Sequence, residues 1–277
     1  MRAHSPLRWS KVCALSLVLV ASCSDSSGDG GDPTDATTTD GATADTLGTD
    51  AAIGDTLTSD GAGKDTLGTD TATTGDAADA TPPVETNKVL YVGGSDGKIS
   101  LFSLDTTSGA LTSAGEVAAG NFPSFLAFDV AHLHLYAVLE GSNKVASFSI
   151  AKGTGALTKL NEVSSPGGPT HVSVDRTGKY AMVANYGGGT ALVFGIGADG
   201  ALGAQTDSKS PGTNSHQFIT DPSNAFAFVP NKGSDTVSQY VFDATKGTLT
   251  ANATARLTVP GGSGPRHLAF HPDGKHA

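Results

Sequence analysis

The chain has 277 residues, with 27 acidic side chains against 17 Lys and Arg, a formal net charge of −10 and two cysteines. That balance, with no basic stripe, argues against nucleic acid as a partner, and the cysteine count excludes a disulfide-stapled miniature fold and a cysteine-ligated metal site. Length alone allows one large domain or two ordinary ones, but the composition changes twice along the chain and marks three zones.

Residues 1–22 read as an export leader. Arg2, Arg8 and Lys11 make a basic start, Val12 to Ala21 is almost wholly apolar, and Ser22 is small. The run is too short for a membrane span. Val20-Ala21-Ser22-Cys23 resembles the lipobox of bacterial lipoproteins, which implies cleavage before Cys23 and lipidation of that cysteine. An ordinary secretory signal with Cys23 merely close to the cut is the alternative. On the first reading the protein is exported and held at a membrane, facing the periplasm or the cell surface, through the lipid anchor only. Cys13 lies inside the leader and leaves with it.

Residues 23–86 read as the lipidated cysteine and a disordered tether. From Ser24 to Thr86 the chain is nearly all Asp, Thr, Gly, Ala and Ser, with Leu47, Ile53, Leu57, Leu67 and Val84 as the larger aliphatics. Such a stretch cannot offset its own ordering entropy. A decamer recurs in register from Asp45, Asp55 and Asp65. Thirteen Asp and Glu85 against Lys64 give this segment a net charge of −13, the leader carries +3, and residues 87–277 balance at 13 acids and 13 bases. The acidity of the chain is therefore the tether's. Asp residues five apart lack the oxygen-ligand pattern of a calcium loop, which leaves a self-repelling spacer.

After Asn87 the texture becomes short alternating apolar runs separated by Gly, Asp, Asn, Ser and Pro, the pattern of many short antiparallel strands. Examples are Val89 to Val92, Ile99 to Leu104, Phe125 to Phe128, Leu133 to Leu139 and Val145 to Ile150. No segment reads as a helix. Four segments superpose: SFLAFDVAHLHLYAV from Ser124, THVSVDRTGKYAMVA from Thr170, HQFITDPSNAFAFVP from His216 and RHLAFHPDGKHA from Arg266, with starts 46, 46 and 50 residues apart. A Gly-x-Leu turn and a further strand recur at SGALT (Ser108), TGALTKL (Thr154), DGALGAQ (Asp199) and KGTLTAN (Lys246). Four strands in about 46 residues make one propeller blade, so the fold class is all-β, a β-propeller of four-stranded blades.

Asn87 joins this register at a second strand, so the first blade is expected to lack its innermost strand. A ring of six to eight blades needs roughly 280 to 370 residues at this repeat length, and residues 87–277 supply 191, about four blades. Ala277 falls just inside an expected strand. A partial sequence is the expectation; a complete short protein would expose long sheet edges and aggregate.

Innermost strands line a propeller's central channel, and the four segments compare equivalent places there. Ser124, Thr170, His216 and Arg266 hold the first position, and Phe125, His171, Gln217 and His267 the next. Downstream positions repeat their residue type, as in Phe128, Val174 and Phe270, whereas this rim position changes in every blade. His216, in Gly212-Thr213-Asn214-Ser215-His216, is expected in a loop near solvent, where an imidazole can take a proton from water. Arg266 follows Gly264-Pro265, and its guanidinium can clamp a carboxylate, a phosphate or a developing oxyanion. A surface histidine and a structural arginine are the plain alternatives. His132 and His134 are expected on one strand facing one way, without a third metal ligand.

GGPTHVSVDRTGKYAMVANYGGGT (Gly167 to Thr190), NSHQFITDPSNAFAFVPNKGSDTV (Asn214 to Val237) and GSGPRHLAFHPDGKHA (Gly262 to Ala277) resemble the seven-bladed propeller lactonase family, which includes propeller-type 6-phosphogluconolactonase and 3-carboxy-cis,cis-muconate lactonizing enzyme. The resemblance spans residues 87–277 and implies seven blades in the full protein and hydrolysis of a small-molecule sugar lactone without cofactor or metal. His216 and Arg266 match the family's rim histidine and arginine and would be catalytic, the one relaying a proton for the attacking water, the other binding an anionic group or the oxyanion. His171 and His267 would flank them at the substrate. A family acid on the strand after Ala277 and a further arginine in a later blade complete the set and lie outside this sequence. An exported chain departs from a cytoplasmic phosphorylated substrate, which keeps a different lactone, or a non-catalytic ligand- or protein-binding propeller, in view. The residues do not bear on oligomeric state.

Overall fold

Runs in which β-branched and aromatic residues alternate with small polar ones pair side by side wherever a Gly- or Asp-containing turn returns the chain. The computed structural model describes residues 17–21 and 87–277, so the readings placed on Cys23 and on the tether lie outside the described residues. Four separate four-stranded antiparallel sheets result. The first holds β1 (Leu17–Ala21), β2 (Asn87–Gly93), β3 (Lys98–Asp105) and β4 (Leu111–Ala118). The second holds β5 (Pro123–Phe128), β6 (His134–Leu139), β7 (Lys144–Ile150) and β8 (Leu157–Ser164), and the third β9 (Pro169–Val174), β10 (Tyr180–Asn185), β11 (Thr190–Ile196) and β12 (Leu202–Lys209). The fourth holds β13 (Ile219–Thr220), β14 (Phe226–Asn231), β15 (Thr236–Asp243) and β16 (Thr248–Thr258). Each sheet is one propeller blade.

Burial grades across a blade as stacking requires. β10 is buried at every position and β6 at all but its first, whereas the outermost β4 is exposed along almost its whole length. The apolar clusters lie between blades. One joins Tyr91, Ile99 and Leu101 to Leu126, Leu135 and Phe148, another joins Tyr136, Val138 and Val145 to Val172, Val183 and Phe194, and a third joins Met182 and Val193 to Phe218, Val229 and Phe242. Each buried Leu, Val or Phe contributes roughly 1.5–3 kcal/mol of transfer free energy. A polar lock accompanies each interface. Tyr91, Tyr136 and Tyr180 donate their hydroxyls to the carbonyls of Gly155, Gly200 and Thr245, in the turns that lead into the next blade's outer strand.

Three expectations are corrected. The innermost place of the first blade, expected to be missing, is taken by β1, which pairs antiparallel with β2; an apolar segment with unpaired backbone groups satisfies them along an open strand edge. The reading without helices holds among the described residues, where a single 3-10 turn, Glu140–Ser142, tightens the return from β6 to β7. No strand follows Thr258 among the described residues, because a strand exists only where a partner accepts its ladder bonds. His132 does not share a strand with His134: it sits in the preceding turn at φ 56°, while His134 opens β6 and its Nδ1 lies 2.8 Å from Asp129 Oδ2.

Candidate functional site

Because successive strands of a blade are antiparallel, the leading end of the first strand and the loop between the second and third lie at the same end of every sheet. The rim residues therefore meet Glu140, Tyr186 and Lys232, which open those loops at intervals of 46 residues.

His216 sits where two blades and the last repeat converge. Its backbone N–H donates to Pro230 O at 2.9 Å, and its own carbonyl accepts from Thr170 Oγ1 at 3.3 Å. The imidazole stands edge-on to Tyr186, with ring centroids 5.9 Å apart, and to His267 at 4.9 Å. It is half-buried, not held out in a solvent loop as the sequence suggested. Nδ1 is cut off from solvent and has no hydrogen-bond partner among the described residues, which leaves Nε2 as the nitrogen open to a ligand. Burial, then the charges of His267 and Arg266, and more weakly Lys232, push its pKa down to about 4. The ring is thus neutral at pH 7 and able to accept a proton.

His171 is placed differently from its rim neighbours. It is 3% exposed, lies against the Phe125 ring at 4.3 Å, and its Nδ1 accepts the Phe218 N–H at 3.4 Å. Burial first, then His267 and His216, lower its pKa to about 3. That accepted bond fixes the neutral tautomer with the proton on Nε2. It also explains why β13 is only two residues long, since the Phe218 N–H turns sideways to the ring. Gln217 likewise spends its Oε1 on the Leu268 N–H at 2.6 Å. His267 is exposed, with a pKa lowered by burial and by Arg266.

Arg266 is exposed, and the loop that presents it is clamped by a residue the sequence reading passed over. Asp235 Oδ1 accepts the Gly264 N–H at 2.7 Å and Oδ2 the Gly262 N–H at 2.8 Å, and these bonds hold its carboxyl below the usual range. Asn143, 92 residues earlier at the same loop position, clamps Gly167 and Gly168 ahead of His171 in the same way, and both Asn143 and Asp235 adopt positive φ. The intermediate loop carries Gly189 there, at φ 59°, where an added Cβ would lie 2.7 Å from Gly212 O. That close approach forms a cleft of about 240 Å³ beside the site, lined by residues 187–189, 210 and 212–214. The missed signal was the recurrence of Gly-Ser-Asn143 and Gly-Ser-Asp235 at twice the blade period.

Lys232 is the second residue missed. Its Nζ donates to Tyr186 Oη at 3.5 Å and lies 6.0 Å from that ring's centroid. A larger cleft, about 490 Å³, lies at the opposite end of the blades around Asp129, His134 and Lys179, away from His216. His271, Asp273 and His276 bring ligand-type atoms within 4.8 Å of one another, but all three are exposed.

The chain matches a family described as lactonase, 7-bladed beta-propeller, over residues 89–277. It is similar to the 6-phosphogluconolactonases of Pectobacterium carotovorum subsp. carotovorum and Serratia proteamaculans, 35% identical to each over 100 residues, which are 36% of this chain. It covers 30% of the length of these curated relatives. Among solved structures it is similar to the periplasmic gluconolactonase of Pseudomonas aeruginosa, 26% identical with a TM-score of 0.59, over 64% of this chain and 55% of that one.

Proposed function

As the chain belongs to the seven-bladed β-propeller lactonase family, we propose that it forms part of an exported lactone hydrolase acting on a sugar lactone. The observation that carries the reading is His216: an imidazole neutral at pH 7, with Nδ1 buried and Nε2 open, near the guanidinium of Arg266, which pairs with no carboxylate among the described residues. Nε2 takes a proton from the attacking water, and the resulting hydroxide adds to the lactone carbonyl carbon. Arg266 then faces the negative charge on the former carbonyl oxygen, and collapse of the intermediate returns the proton to the ring oxygen. An imidazole protonated on Nε2 needs an acceptor for its Nδ1 proton, and the acid expected on a following strand would supply one. In this reading His267, whose ring stands edge-on to His216, would flank the substrate, whereas His171 would act through the Phe218 backbone that it holds.

The export part of the proposal rests on the leader pattern and on the periplasmic relative. Residues 1–22 act as signal, so that on cleavage β1 leaves with the leader and the innermost place of the first blade opens; Cys23 is the lipid-bearing residue, and residues 24–86 are the tether. Metabolic labelling with palmitate tests this part, with label expected on the wild type and none on Cys23→Ala.

Hydrolysis of several sugar lactones by the wild type, His216→Ala and Arg266→Ala tests the chemistry. Both variants are expected to lose at least about 100-fold in kcat/KM. Equal rates in all three would remove the site assignment, and ligand retention without hydrolysis in the protein would favour a binding propeller.

A further inference from the structure

We propose that Lys232 is a specificity-determining residue that reads an anionic substituent, a phosphate or a carboxylate, on the lactone, leaving Arg266 for the reacting carbonyl oxygen. The inference rests on the lactone-hydrolase reading of the same site. It begins from the blade comparison. Gly94, Glu140, Tyr186 and Lys232 stand 46 residues apart at the start of equivalent loops. The residues that follow repeat in kind because they shape the loop, as with Gly-Ser-Asn143 and Gly-Ser-Asp235. The opening residue does not repeat, so the fold leaves its chemistry free.

Lys232 is held in place from several directions. Its backbone N–H donates to Asn214 O at 3.0 Å, its stem runs beside Gly264, where an added Cβ would meet Cγ at 3.4 Å, and its ammonium reaches Tyr186 Oη. The Tyr186 ring that receives the ammonium is the same ring that stands edge-on to His216. Lys98, Lys144, Lys159, Lys209 and Lys246 each pair with a carboxylate; Lys232 and Arg266, like Lys88, Lys152, Lys179 and Lys275, pair with none among the described residues, and of these lysines Lys232 is the one whose ammonium reaches the ring beside His216. Lys232 is a half-buried residue, and a cation that gives up hydration is normally repaid by an opposite charge. Here the groups around it are a phenol, neutral imidazoles and a guanidinium, and Asp235, the nearby carboxylate, is occupied by two backbone N–H groups. A ligand anion supplies the missing charge. Lys232 and Arg266 come from different repeats, so one substrate can meet a cation at its substituent and another at its carbonyl.

Sugars that cannot be hydrolysed separate this inference from the reading beneath it. Binding of glucose, glucose 6-phosphate and glucuronate would be measured by calorimetry on the full chain, for the wild type, Lys232→Met, Lys232→Arg and His216→Asn. The wild type is expected to bind at least one charged sugar about 10- to 100-fold more tightly than glucose, the span of one charge-assisted hydrogen bond. Which charged sugar wins distinguishes phosphate from carboxylate. Lys232→Met should erase the preference, Lys232→Arg should keep most of it, and His216→Asn should keep it while losing lactone hydrolysis. Circular dichroism confirms that each variant is folded. A preference that survives in Lys232→Met, or no preference in the wild type, overturns the role of Lys232. Intact preference with no hydrolysis of any lactone by the wild type overturns the hydrolase reading instead.

Discussion

Acid should unfold this protein in a window set by a buried histidine. His171 is sealed between Phe125 and the Phe218 backbone, and its pKa is pushed down to about 3 from 6.5 by burial and by the charges of His267 and His216. As pH falls through 6.5 the unfolded chain takes up a proton here, while the folded chain does so only near 3. Protons therefore favour the unfolded state between those values, and stability that is fully present above 6.5 is lost on the way down. The whole span is worth on the order of 4–5 kcal/mol, with a slope approaching about 1.4 kcal/mol per pH unit. His216 titrates in the same direction between 6.5 and about 4, but its half-exposed ring makes its share smaller. The depressed carboxylates Asp207, Asp221 and Glu162 lose their stabilisation as the unfolded chain protonates around the ordinary values of 3.8 to 4.5, so the imidazoles dominate the interval from pH 6.5 to 4.5. The assay is urea unfolding across that interval for the wild type and for His171→Asn, whose amide oxygen can still accept the Phe218 N–H but does not titrate. The wild type should lose roughly 2 kcal/mol over those two pH units, most of it absent in the variant. Parallel slopes for the two proteins would refute the reasoning.

Three further outcomes follow from the same geometry. The acid limb of kcat/KM, which reports the free protein, should fall near pH 4, the value for His216, and move upward in Lys232→Met because a repelling cation has gone; a limb near 6.5 would contradict the buried ring. Asp235→Ala frees Gly262 and Gly264 from their clamp and should lower kcat/KM on the order of 10-fold with unchanged circular dichroism, through misplacement of Arg266. Its signature is loss of any further effect when Arg266→Ala is added, and a fully additive double variant would count against a positioning role. Tyr136→Phe removes the hydroxyl that reaches Gly200 O at 3.1 Å from a fully buried ring and should reduce stability by about 1–2 kcal/mol in urea titrations.

The blades were legible because their pattern is enforced at every level. The apolar runs at 89–92, 125–128 and 145–150 appear as β2, β5 and β7 with ends shifted by at most two residues, since alternation and turn residues agree there. The chain's similarity over 89–277 to a seven-bladed propeller family follows from the same repeat. Candidate site residues stood out where a rim position broke that repeat, which is how His216, Arg266 and His267 came to notice. Lys232 and Asp235 were not, because each lies in a turn whose composition reads as ordinary punctuation, and only pairing β14 with β15 shows that residue 232 faces Tyr186. The depth of His171 was hidden for another reason. Its position resembles that of His267 by alignment, but a further blade covers the first ring and none of the described strands covers the second.

The charges around His216 imply that ligand binding and proton uptake are linked. Arg266 and Lys232 both help to hold its pKa near 4, so an anion placed against Lys232 offsets part of that field and raises that pKa. A group whose pKa rises on binding takes up protons with the ligand, and affinity then increases as pH falls from 7 toward the free value. A carboxylate ligand is the clean probe, because it stays ionised above about pH 5, whereas a phosphate has its own ionisation near pH 6 and would release a proton of its own beside a cation. Calorimetric titration of glucuronate at pH 5.5, in two buffers of different ionisation enthalpy, counts the protons directly. A fractional uptake is expected for the wild type, reduced in Lys232→Met and absent in His216→Asn. Uptake that persists unchanged in His216→Asn would place the titrating group elsewhere. The same linkage makes an anionic ligand stabilise the fold most strongly in the acid range, where the unliganded protein is losing stability through its neutral histidines.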